Sequence, residues 1–131
     1  MSFEVNDKAR RLASSRGILE ICDINIGRVF AHAPAEADGA WPCIPVRDAI
    51  ETIGTDAVMG SFSNTIDNNR GWYNGSGGSE ENILASKYRS FAEGYAIEWP
   101  KTSEALTAVA NLYARKALAE KARAESDQFY N

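Results

Sequence analysis

Arg70, Trp72, Tyr73 and Asn74 fall within five consecutive residues, just after Asp67 and Asn69. Trp and Tyr supply large, rigid contact area, while Arg, Asn and Asp supply directional donors and acceptors, which are the materials of a recognition surface. The set lies inside a run of Gly, Asn and Ser from Ser61 to Ser79. Structureless stretches longer than about 12–15 residues are uncommon in compact domains and are usually functional or disordered. A disordered linker has little use for adjacent aromatics. The sequence therefore reads as a long loop over 61–79, with binding through 64–78. A structural role competes with this reading, in which Trp72 and Tyr73 fold back as plugs over the core.

Other chemistries fit less well. Gly75-Ser-Gly-Gly-Ser79 runs into a helix, where free N–H groups and the helix dipole favour a phosphate. The P-loop lysine is absent, and Glu80 and Glu81 place negative charge in the first turn. Asp67, Asn68 and Asn69 suggest a calcium loop, but position 5 counted from Asp67 is Gly71 and position 12 is Gly78, so the EF-hand pattern fails. His32 with Cys43 could form a thiolate pair, although Cys43 between Pro42 and Ile44 has the setting of a buried thiol. Glu93 and Glu98 flank Tyr95, and Arg89 is placed to pair with Glu93 at i, i+4. No metal and no cofactor is expected.

The charge balance points the same way. The formal net charge is −4 over 131 residues, which argues against general nucleic-acid binding, since that needs a basic footprint. Lys8, Arg10, Arg11 and Arg16 do make the first helix mildly basic. Cys22 and Cys43 are the only cysteines and make no disulfide framework. No apolar leader follows Met1 and no run approaches the ~18 apolar residues that span a bilayer. A cytoplasmic chain with reduced thiols is expected.

These residues must be positioned by a small number of elements in one domain over 1–131. A first helix runs from about 3 to 16, with Gly17 able to close it. The density of Ile21, Ile24, Ile26 and Val29 favours a strand over 24–31. Pro34, Gly39 and Pro42 make a loop, and Pro45 suits the first turn of a short helix with Val46, Ala49, Ile50 and Ile53 inward, ended by Gly54. Residues 57–63 read as a short strand. Ser79 is a good N-cap for a helix whose stripe is Leu84, Tyr88, Phe91 and Tyr95. Pro100 disfavours helix at Trp99, so 96–99 reads as extended. Thr102 or Ser103 would then cap a long last helix over about 103–126.

The fold class expected is α+β, helix-dominated, with three or four helices packed against a small antiparallel sheet; an all-α domain is the alternative. The last helix presents Leu106, Val109, Tyr113 and Ala117 as a docking or oligomerisation stripe, with Phe129 and Tyr130 at its tip. The function expected is that of a small non-enzymatic binding protein of inhibitor or adaptor type, occupying the surface of a protein partner, with a homodimer as a further expectation. Compact chains without motifs are common among inhibitors and adaptors, including those of viruses and mobile elements. The alternative is a small-molecule binder or enzyme in which 64–78 is a lid with glycine hinges closing over a pocket, with Arg70, Tyr73, Tyr88 and Glu93 as the residues to test. A third reading is nucleic-acid contact through the basic first helix. No membrane partner is expected.

Overall fold

The computed structural model describes residues 3–15, 17–69 and 78–130, with the backbone alone for 3–5, 69 and 127–130. The described residues form six helices: α1 (Phe3–Ser15), α2 (Leu19–Phe30), α3 (Ile44–Ile53), α4 (Asp56–Asn69), α5 (Ser79–Tyr95) and α6 (Pro100–Tyr130). There is no strand among them, so the α+β expectation is overturned and the fold is all-helical. Each proposed strand has a distinct fate. Residues 24–30 belong to α2 and residues 57–63 to α4, while 96–98 form a turn.

Packing explains why α2 is a helix despite its β-branched residues. Asp23, Ile26, Gly27 and Phe30 are buried, at the i, i+3, i+4, i+7 spacing of one helical face. Ile21 and Val29, which would face inward from a strand of the opposite register, are exposed. Gly27 lets α2 approach α4 closely: a Cβ there would collide with the Val58 carbonyl and lie 2.8 Å from Ser61 Cβ. The Ser61 hydroxyl donates to the Ile24 carbonyl across the same seam.

Residues 61–69, expected as loop, are the second half of α4. Ser, Asn, Thr and Gly are weak helix formers because they compete for backbone hydrogen bonds or lose entropy. Burial overrides them: Val58, Phe62 and Ile66 fall on one i, i+4 row and are at most 6% exposed. Thr55 Oγ1 accepts the Val58 N–H at 3.2 Å, capping the helix start.

Several punctuation marks act as the sequence suggests. Gly17 has φ 70°, and the Gly17 N–H to Ser14 carbonyl (3.1 Å) and Ile18 N–H to Ala13 carbonyl (3.0 Å) bonds close α1 as a Schellman motif. Gly54 ends α3 in the left-handed region. The expected Ser79 cap is corrected: Gly78, with φ 92°, occupies the cap position of α5 with no side-chain capping bond, and Ser79 is the first helical residue.

α5 and α6 form an antiparallel pair: Ser103 Oγ bonds the Ala92 carbonyl at 2.6 Å, and Tyr88 stacks on Tyr113. The core lies where α4 and α3 cover this pair, around Phe62, Ile50, Leu106, Val109 and Tyr113. Trp41 fills the gap between α4 and α5, stacked on Phe62 and edge-on to Tyr88, with its Nε1 donating to the Ala33 carbonyl at 2.7 Å. α6 starts at Pro100, ahead of the expected Thr102 or Ser103 cap. The Glu51 carboxylate on α3 caps it instead, accepting the Lys101 and Thr102 N–H groups at 2.8 Å each. A full negative charge thus sits on the positive end of α6.

Candidate partner-binding surface along α4

α4 is built as four parallel rows of residues. Val58, Phe62 and Ile66 are buried; Ala57, Ser61 and Thr65 are half-buried toward α2; Met59, Ser63 and Asp67 are half-buried toward α6; Asp56, Gly60, Asn64 and Asn68 are exposed. The exposed row is a ridge with a groove on either side. The α2 side groove, about 380 Å³, is walled by Ile24 and Arg28 opposite Asp56, Gly60, Asn64 and Asn68, with Ser61 and Thr65 at its floor. The α6 side groove, about 340 Å³, runs between Met59, Ser63 and Glu104. Gly60 is the low point of the ridge, since a Cβ built there meets nothing within 4 Å.

Both signs of charge line this surface. Asp56, Glu20 and Glu104 are exposed around the start of α4, whereas Arg28 lines the groove that Asn64 and Asn68 also line. A third hollow, about 490 Å³, lies beyond Asp56 and is lined by Leu19, Glu20, Asp23 and Thr55. Its buried carboxylate is already satisfied. Asp23 accepts Arg10 Nε at 2.7 Å, Arg10 Nη2 at 3.2 Å and Thr55 Oγ1 at 2.9 Å. This bond raises the Arg10 pKa above its ordinary value and ties α1 to α2 and to the start of α4.

Of the residues expected to bind, Asp67 is half-buried and pairs with Lys116 of α6 at 2.6 Å, which makes it an anchor. Asn69 ends α4, with its side chain outside the described residues, and Arg70, Trp72, Tyr73 and Asn74 lie outside them altogether. The described residues on either side of that segment are both held on α6. Asp67 is held at Lys116, and a Cβ on Gly78 would come within 2.5 Å of the Ala117 carbonyl. The chain therefore leaves α4 and enters α5 at two neighbouring positions of α6.

Leu106, Val109, Tyr113 and Ala117 are buried within the single chain, packed in the core or against Gly78. The Phe129 and Tyr130 side chains lie outside the described residues. Arg89 reaches across to Asn111 Oδ1 at 3.1 Å. Cys43 is buried and His32 exposed. Among the described residues there is no cluster of three or more potential metal ligands, and no helix long and apolar enough to cross a membrane. Arg10 is committed to Asp23, and Arg11 pairs with Asp7 at 3.3 Å.

Arg28 is not among the site residues that the sequence suggests, and Asn64, Thr65 and Asn68 enter there only within the 64–78 range or, for Asn68, as part of a failed calcium pattern. The signal that could have found them is the four-residue spacing of Val58, Phe62 and Ile66, which turns the polar residues between them outward. No protein-family model, no curated protein and no solved structure matches this chain.

Proposed function

We propose that the chain is a small helical binding protein that occupies a partner protein through the outer face of α4 and the residues that follow it. The supporting observation is the exposed row Asp56, Gly60, Asn64 and Asn68, flanked by two open grooves. Small side chains let a partner backbone come close, and the carboxamides offer a donor and an acceptor each. In the sequence the row is followed by Arg70, Trp72, Tyr73 and Asn74, and aromatics and Arg are enriched in protein interfaces. The described residues on either side of that segment are anchored on α6, Asp67 at Lys116 and Gly78 at Ala117.

The test is site-specific photo-cross-linking. A benzophenone amino acid is placed at Asn64 or Asn68, and at exposed Ala37 as the control, in extract from the source cells. The expected result is one defined protein adduct from positions 64 and 68, reduced at least fivefold by Trp72→Ala and absent from position 37. Equal adducts from all three positions would overturn the proposal. So would a native mass spectrum showing a co-purified metabolite of about a few hundred daltons bound in the groove, which would favour the lid reading.

A further inference from the structure

The α2 side groove carries a more specific message, which rests on the partner-binding reading above. We infer that it takes an extended peptide segment of the partner, whose main chain is read by Asn64 and Asn68, with an acidic residue beside Arg28 and a basic residue near Asp56.

The geometry points to an extended ligand. Asn64 and Asn68 are one i, i+4 step apart on α4 and line the same groove. That step advances about 6.0 Å along a helix axis. Two residues of an extended chain advance about 6.4–6.8 Å, and groups two apart face the same way. Each carboxamide presents an N–H donor and a carbonyl acceptor, which match the C=O and N–H of one residue of an extended chain, because those two groups point to the same side. Successive asparagines therefore meet every second residue of an extended peptide. A helical ligand offers no such match, because its interior N–H and C=O groups are already bonded to each other. Neither carboxamide makes a hydrogen bond among the described residues.

The groove also fits in length and charge. From Asp56 to Asn68, α4 advances about 18 Å, room for about five or six extended residues. Gly60 keeps the ridge low midway, where a backbone can pass close. Arg28 is exposed on the α2 wall, and its fork suits a carboxylate. Asp56, exposed at the start of α4, lines the same groove and also the hollow that holds Glu20, so an acidic ligand residue is favoured beside Arg28 and a basic one beside Asp56.

A random heptapeptide library displayed on phage is panned against the full chain, the double variant Asn64→Ala/Asn68→Ala, and Arg28→Glu. Alanine on an exposed helical face raises helix propensity, and circular dichroism checks that each variant folds. The full chain is expected to enrich peptides with a basic residue toward one end and an acidic one toward the other. The double variant should bind the selected peptide at least tenfold more weakly, and Arg28→Glu should remove the acidic preference. Methylating single backbone nitrogens of the peptide should cost at least tenfold at two alternate positions and little at the one between. Failure to enrich, equal binding by the double variant, or indifference to backbone methylation would overturn the inference. Cross-links to a partner from positions 64 and 68 that persist in that event would leave the partner-binding reading standing and remove only the extended mode.

Discussion

Arg47 is a cation with almost no water around it. It is 4% exposed, its guanidinium carbon lies 4.5 Å from the ring centroids of both Tyr95 and Trp99, and its Nε donates to the Pro42 carbonyl at 2.7 Å. A desolvated cation against two aromatic faces is stabilised by about 2 kcal/mol or more, and the neighbouring Asp48 fixes Trp99 by accepting its Nε1 hydrogen at 2.9 Å. Lone buried polar groups fare differently. Asn6 is fully buried, and neither its Oδ1 nor its Nδ2 has a hydrogen-bond partner among the described residues. A buried amide left unpaired costs about 1–3 kcal/mol, and replacing it by an apolar group of similar shape removes that cost. Asn6→Leu is therefore expected to leave stability unchanged or raise it by about 1–2 kcal/mol, read from the urea midpoint; a loss above that size would show that the amide is satisfied in solution.

Gly27 and Gly60 show how one substitution takes opposite signs on neighbouring helices. Both are helical glycines, and alanine is preferred there by about 1 kcal/mol on propensity alone. At Gly60 a Cβ meets nothing within 4 Å, whereas at Gly27 it would lie 2.8 Å from Ser61 Cβ and 2.9 Å from the Phe62 nitrogen, with the Val58 carbonyl closer still. Two of those three atoms are backbone, so α2 and α4 must separate, and overpacking of this kind costs about 1–3 kcal/mol. Gly60→Ala is expected to raise the urea midpoint and Gly27→Ala to lower it. The same m-value in both would confirm that stability alone has changed. If Gly27→Ala were also stabilising, the close α2–α4 seam would be wrong.

The assembled molecule joins elements far apart in sequence through a chain of rings and caps. Trp41 touches Phe62 and Tyr88, Tyr88 stacks on Tyr113, and the Tyr95 hydroxyl donates to the Trp41 carbonyl at 2.9 Å. Burial pushes the Tyr88 and Tyr95 phenols above the ordinary 10.0. Both are thus held protonated by the fold, and the unfolded chain gives up these protons first. The stability they confer is intact below pH 10 and falls as pH climbs beyond it. Phenolate absorbance should show part of the tyrosine complement titrating late, together with a falling denaturation midpoint; titration of all tyrosines at the ordinary value in the folded protein would contradict this packing. Much of the outline is legible from local chemistry. Gly17 and Gly54 need left-handed backbone, Pro45 suits a first turn, and the stripes of α5 and α6 repeat at helical period. Those signals act within a few residues, so the sequence by itself determines them. Tertiary structure decided the rest. β-branched density in α2 and turn-forming residues in α4 pointed away from helix, and only burial of Ile26 and Phe30 against Val58 and Phe62 reversed that preference. The Glu51 cap on α6 and the anchoring of Asp67 at Lys116 link residues about 50 positions apart. The groove brings Arg28 opposite Asn64 and Asn68, 36 and 40 positions away. Such juxtapositions have no local signature, because the free energy that makes them arises only when the helices are already packed.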